Sequence, residues 1–373
     1  MMLISFGACL KSKDSLILPK EEKVTVTFSL TLSGNPSGIK TYAVNGEEVE
    51  EVDVLVFAMD GASERFSYHS IAKDLEPGDN PGEINFTTSL RKDENAENEY
   101  RLIILANVRQ QLNAYGINIG QTKEYFKNNF IYTKEIPDDN WNTPLPMWGE
   151  SDVITDVGSA TEIAGISLLR SMAGVDVVNQ AGTVFTLTDV YVFNSKTKGL
   201  VIPNSDSPSL PVFAANDTEI LAYAVPAAPN ELKNEVYLFE AAAGMSTDPP
   251  DPGATALVIG GTFATDPDPG NPTTYYYRID FRDENGNPVP LLRNNRYIIN
   301  IINATGTGLA STTKEDAFAS PSLPKHAYIG LNGLKPARSE RQTTSNVSIT
   351  RAEIVPSGTG AINYTITTVN ENQ

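Results

Sequence analysis

Apolar and hydroxyl residues alternate without a break from Val24 to Leu32, which is the two-residue period of a strand with one buried face. Val24, Val26, Phe28, Leu30 and Leu32 are therefore predicted to point inward, and the intervening threonines and Ser29 outward. Val52-Asp53-Val54-Leu55-Val56-Phe57 reads as a second strand, closed by the turn signal Asp60-Gly61. Tyr100 to Ala106 is a nearly continuous apolar run of strand length, as expected for a central strand covered on both faces. Helical patterns are few, at about 107 to 115 and from Thr122 to Asn129. Ile163 to Val178 fits either period, with strand favoured for its Val175-Asp176-Val177 half.

From Phe185 the strand signals resume with denser turns. They comprise Thr186 to Phe193, Glu235 to Phe239, Ala256 to Gly261, Tyr275 to Phe281, Arg296 to Ile301, Asn346 to Val355 and Ala361 to Val369. Asn285-Gly286 predicts a tight hairpin turn. Asp283 to Asn287 has the look of a calcium loop, but its glycine register would place Phe281 where the first ligand belongs. Proline and glycine cluster at 200 to 211, 244 to 253 and 264 to 272, as stiff solvated loops. Strands spaced by turns on both sides of about residue 180 predict an all-β chain of two β-sandwich domains with a few short helices. The domains are expected at 24–180 and 181–373, joined near Asn179-Gln180-Ala181-Gly182.

Charge narrows the partners. The 28 Lys plus Arg against 46 Asp plus Glu give a net charge of -18, which phosphate backbones and anionic membrane surfaces would repel. Nucleic acid is excluded as an expected partner. Chemistry is scarce as well: the two histidines, His69 and His326, stand far apart in loop-like contexts. No H-E-x-x-H, G-x-S-x-G, phosphate-binding loop or complete G-x-G-x-x-G occurs, and Gly306-Thr307-Gly308 lacks a third glycine. No catalytic, metal or cofactor site is expected, and the chain reads as a non-enzyme.

Cys9 is the one cysteine in 373 residues and follows Leu3-Ile4-Ser5-Phe6-Gly7-Ala8. An apolar stretch and small residues before a lone cysteine resemble the lipobox at which bacterial lipoproteins are cleaved and diacylated. Residues 1–9 are read as such a signal, with no basic residue ahead of it, as in a leader whose start lies upstream. Residues 10–23 form a tether. Attachment to a membrane is expected only through lipid on Cys9, because no later apolar run approaches the ~20 residues of a bilayer span.

The order of segments resembles the FimA-like fimbrillins that build type V pili of Bacteroidales. The matching pieces are the strand Val24 to Leu32 after a lipobox, Val52 to Phe57 before an Asp-Gly turn, and Pro146-Met147-Trp148-Gly149-Glu150 before Leu168 to Val175. Tyr237 to Glu240, Leu257 to Phe263, Tyr276 to Phe281 and Leu291 to Tyr297 follow in the second half. The resemblance implies two sandwiches of transthyretin-like type and a lipidated precursor exported to the outer membrane and then built into the fimbrium. It also implies a trypsin-like surface protease that cuts behind the first strand, which then leaves. An extended C-terminal segment of another pilin subunit fills the vacated groove. On this reading Val24, Val26, Phe28, Leu30 and Leu32 form the displaced strand. Lys40, the basic residue between it and the next strand, is the processing site. Ile362, Tyr364 and Ile366 are the donor residues. The best-known members are cut at arginine, and no arginine precedes Arg65 here, so a lysine-accepting protease and an uncleaved anchor both stay open.

The reading is a structural pilin supporting cell adhesion, with other pilin subunits as partners and host or bacterial receptors beyond them. A C-terminal segment that alternates almost to its end favours a stalk or adaptor over a tip. The alternative is a monomeric surface lipoprotein that binds glycans or host proteins on a platform of Trp141, Trp148 and Tyr275 to Tyr277.

Overall fold

The computed structural model describes residues 22–32, 48–80, 82–92, 98–133, 144–155, 157, 162–203, 220–245, 251–282, 287–304, 310–320, 347–348 and 362–370. Its first unit contains β1 (Lys23–Leu32), β2 (Val52–Asp60), β3 (Ser63–Ile71), β4 (Lys73–Pro77), β5 (Glu83–Arg91) and β6 (Glu99–Ala106). Helices α1 (Arg109–Tyr115) and α2 (Lys123–Asn129) come next, then β7 (Ile131–Thr133), β8 (Met147–Glu150), β9 (Ile154–Thr155) and β10 (Glu162–Arg170). The strands run in the order β3-β2-β6-β8-β10-β1-β5-β4, with β9 on β6. Strand β10 belongs to two layers. Its residues 162–168 lie parallel to β1, while Leu169 and Arg170 pair with Trp148 and Met147 of β8. The sheet thereby folds over on itself, and one core of Val26, Phe28, Leu55, Phe86, Leu102 and Trp148 fills the space between the layers. Gly149 is needed at the fold-over, where a Cβ would come within 2.7 Å of the Ser167 carbonyl oxygen.

The second unit contains β11 (Ala173–Asn179), β12 (Phe185–Phe193), β13 (Lys198–Leu200), β14 (Leu221–Ala224), β15 (Glu231–Leu238), β16 (Ala256–Phe263), β17 (Tyr275–Asp280) and β18 (Asn295–Ala304). They are followed by α3 (Lys314–Ala319), β19 (Val347–Ser348) and β20 (Ile362–Asn370). A five-stranded sheet β15-β11-β18-β20-β19 faces a four-stranded sheet β14-β12-β16-β17, and Val175, Phe185, Val190, Ile259, Tyr277 and Ile299 pack between them. Among the described residues the architecture is all-β with three short helices, in keeping with the alternation read from the sequence.

Several expectations are refined by these placements. The ambiguous stretch 163–178 is strand throughout, broken at Ser171-Met172, and β11 already pairs with β15 and β18 of the second unit. The sheets therefore change over at Ser171-Met172, ahead of the turn at Asn179 to Gly182, which lies inside the second unit. His69 sits in β3, not in a loop, with its Nε2 2.7 Å from Oδ1 of the fully buried Asp53, which Arg109 Nε also holds at 3.1 Å. His326, Trp141, Asn285 and Gly286 lie outside the described residues. Trp148 and Tyr277 are core side chains, each 1 % exposed, so an aromatic platform built on them has no outward face.

Candidate functional site: the N-terminal strand and its slot

Strand β1 lies between two neighbours, antiparallel to β5 over nine paired positions and parallel to β10. Its alternation does what the sequence pattern requires: Val26, Phe28 and Leu30 are wholly buried, and Val24 and Leu32 pack half-buried at the two ends of the same face. Burying each of the three central side chains contributes about 1.5–3 kcal/mol. The middle position is the most specific, because the Phe28 ring stacks on Phe86 with centroids 4.8 Å apart and planes 6° from parallel. Register places Val26 opposite Thr88, Phe28 opposite Phe86 and Leu30 opposite Ile84. On the β10 side the register slips between Phe28 and Leu30, which pair with Ile163 and Ile166. The extra residues include Gly165 at φ +81°, a left-handed conformation that glycine adopts without strain.

The outward face of β1 carries one polar lock. Ser29 Oγ donates to Glu83 Oε1 at 2.5 Å, and the other oxygen of the same carboxylate accepts from Asn80 N and Nδ2 at 2.9 and 2.8 Å. The Ser29 hydroxyl and then the Asn80 donors hold the Glu83 carboxyl below its ordinary value of 4.5. A depressed carboxylate pKa contributes stability that is present above the unfolded value and is lost as pH falls through the folded one. Glu83→Gln should therefore flatten part of the fall in thermal midpoint between neutral pH and pH ~3, relative to the unchanged chain. Parallel pH profiles for the two proteins would show that the lock does not contribute.

The other residues singled out from the sequence fall elsewhere. Cys9 and Lys40 lie outside the described residues. Ile362, Tyr364 and Ile366 lie on β20, which pairs antiparallel with β18 of its own chain, at positions opposite Ala304, Ile301 and Ile299. The first and last strands are thus not brought together within one chain. Sequence reading missed β5, which supplies Phe86 and Glu83. The signal was there in Ile84, Phe86, Thr88 and Leu90, a two-residue period with one hydroxyl among the apolar positions.

Among the described residues no helix is long and apolar enough to cross a membrane, and no group of three His, Cys, Asp or Glu could hold a metal ion. The chain is similar to the tip fimbrial protein Mfa3 from Porphyromonas gingivalis, with 14% identity and a TM-score of 0.46 over 74% of this chain and 94% of that one. It is also similar to a putative cell adhesion protein from Parabacteroides distasonis, with 15% identity and a TM-score of 0.45 over 92% of this chain and 96% of that one. No curated protein matches. Residues 18–313 match the family model of the fimbrillin-A associated anchor proteins Mfa1 and Mfa2, and the chain belongs to that family of fimbria- and adhesion-associated proteins of the cell surface.

Proposed function

We propose that this chain is a structural subunit of a type V fimbrium, exported as a lipoprotein acylated at Cys9 and joined to neighbouring subunits by strand exchange after cleavage at Lys40. The observation that carries the reading is the situation of β1. It is a complete strand of the N-terminal core, held on both edges, yet joined to the rest of the fold only through the stretch between Leu32 and Val52, where Lys40 stands. Cutting that connection turns β1 into a separate peptide held by contacts alone. Once it leaves, the slot exposes the Phe86 ring and the paired edges of β5 and β10, which is a surface made for strand addition. The strand to fill it in a neighbour is β20, at the C-terminal end of the chain.

The test is cleavage of the lipid-free chain with a lysine-accepting trypsin-like protease, followed by mass measurement and denaturing gels without boiling. The expected result is loss of residues 1–40 and a ladder of detergent-resistant multimers. Lys40→Ala should give a folded monomer and no ladder. Cleavage mapped to another site, or a ladder at the original rate in Lys40→Ala, removes Lys40 from the mechanism. Membrane association tests the remaining part: Cys9→Ser expressed with its leader should be released into the soluble fraction, because acyl chains contribute about 0.8 kcal/mol per buried CH₂. Equal association of both forms would discard the lipid anchor.

A second reading follows from the family description, which names anchor proteins. An anchor would keep β1 in its slot and offer only β20 to a neighbour, so protease treatment would leave residues 1–40 in place.

A further inference from the structure

An open groove of about 360 Å³, a volume suited to a small ligand, lies between the edge strand β3 and the end of α1, and β1 has no part in its lining. β3 carries one residue more than β2 at this point. Val56 pairs with Tyr68 and Phe57 with Phe66, so Ser67 is left over as a bulge. A bulge re-aims its side chain, and bulges recur beside binding sites. Ser67 lines the groove together with His69 and with Asn113 of α1. His69 is the best defined of the three. Its Nε2 lies 2.7 Å from Oδ1 of the buried Asp53, an oxygen that also accepts from Arg109 Nε at 3.1 Å. A carboxylate only accepts, so Nε2 carries the ring hydrogen and Nδ1 of the neutral ring is an acceptor. Among the described residues, His69 Nδ1, the Ser67 hydroxyl and the Asn113 amide have no hydrogen-bond partner within the protein.

The rest of the lining decides what these groups can meet. Ile117 and Ile119 supply an apolar wall, and Ile119 is 80 % exposed. Arg91 also lines the groove, its guanidinium 4.5 Å over the Tyr68 ring, which fixes where the cation stands. No Asp or Glu lines the groove, in a chain that has 46 of them against 28 Lys plus Arg. A ligand that matches carries a negative charge for Arg91, hydroxyls that donate to Nδ1 and exchange hydrogen bonds with Ser67 and Asn113, and an apolar flank. A fatty acid would leave the three polar groups unmatched. The ammonium of an amino acid would meet no carboxylate. An extended peptide needs the backbone edge of β3, but the Phe66 amide already donates to the Gln121 carbonyl and the Phe66 carbonyl accepts from Gly120 N, both at 2.8 Å. We infer that the groove binds an acidic pyranose, a sugar ring bearing a carboxylate, with the carboxylate on Arg91 and ring hydroxyls on Ser67, His69 and Asn113. The first unit then holds a glycan site of its own, independent of how subunits are joined.

The experiment is saturation-transfer NMR on the full chain carrying Cys9→Ser. Methyl glucuronide and methyl sialoside are the acidic probes and methyl glucoside the neutral one, each at about 5 mM, the range in which weak binding of a single sugar is read. The expected result is transfer to at least one acidic probe, with affinity for methyl glucoside about tenfold lower because the charge-assisted contact is missing. Transfer to one acidic probe and not to the other supports the site and identifies its sugar. Asn113 is exposed on α1, where alanine favours the helix, so Asn113→Ala tests the groove in a folded chain. It should weaken the acidic probe about fivefold. At the exposed position 119, Ile119→Asp should weaken it about tenfold more than Ile119→Asn, the uncharged control of the same shape. Equal affinity for acidic and neutral probes, or equal effects of Ile119→Asp and Ile119→Asn, would overturn the acidic specificity. Transfer to none of the probes, or transfer unchanged in Asn113→Ala and both variants at position 119, would overturn the site.

Discussion

Phe28→Ala should lower the stability of the N-terminal unit by about 3–5 kcal/mol, the range for truncating a large buried aromatic. Phe28 is wholly buried and stacks on Phe86, and both rings hang from strands that are paired on either edge, β1 by β5 and β10, β5 by β1 and β4. Strands held on both edges have little freedom to collapse into a cavity, which places the cost toward the upper end. Thr27→Ala, one residue away on the exposed face, should change stability by no more than about 0.5 kcal/mol. Urea unfolding of both variants gives the comparison, and the slope with denaturant should be the same in both, since the surface exposed on unfolding hardly differs. A loss under 1 kcal/mol for Phe28→Ala would mean that the slot closes readily around a missing ring. That outcome would also weaken the case for an aromatic donor residue.

The sequence made β1 legible because a half-buried strand has only one way to be written, and nine residues of strict alternation are too long to arise in a helix. β2, β6, β12, β16, β17 and β18 were legible for the related reason that buried strands are short apolar runs between turns. β8 was harder, since Met147 to Glu150 is four residues long and held by its crossing of β10 rather than by its own pattern. The change of sheet at Ser171-Met172 carries no turn signal of its own, whereas Asn179-Gln180-Ala181-Gly182, near which the sequence pattern places the boundary, does. At Ser171-Met172 the change of sheet is imposed by tertiary partners: Ser171 Oγ donates to the Val201 carbonyl at 2.7 Å and Met172 O accepts from Asn294 N at 2.8 Å. The parity of the slot was visible from β1 alone. Its specificity was not, because Phe86 and Glu83 come from a strand more than fifty residues away and pairing of that kind leaves no local mark.

Those same partners define where the two units are fastened, and Arg293 is the centre of the fastening. Its side chain is 1 % exposed, and it donates from Nη1 to the Val201 carbonyl at 2.8 Å and from Nη2 to the Leu200 carbonyl at 2.9 Å. Nη2 also meets Glu240 Oε2 at 2.6 Å. Leu200 ends β13, which pairs with β7 of the first unit, and Val201 N donates to the Phe130 carbonyl. The next residue, Asn294, accepts from the Arg170 amide through its side chain. One guanidinium therefore ties the second unit's loop before β18 to the strand that lies against the first. Arg293→Met removes the cation, leaving the largely buried Glu240 carboxylate without its charge partner and the Leu200 and Val201 carbonyls one donor short, and breaking such a pair from one side costs about 3–5 kcal/mol. Removing both charges with Arg293→Met and Glu240→Leu leaves no unpaired charge, so the double variant should recover a good part of that loss. The expected outcome in urea is a single variant that loses cooperativity between the units as well as stability, and a double variant that regains most of its midpoint. If Arg293→Met unfolds within 1 kcal/mol of the unchanged chain, water reaches the junction freely and the units are fastened by the apolar contacts of Val201, Ile202, Tyr237 and Phe239 with the first core rather than by the ion pair.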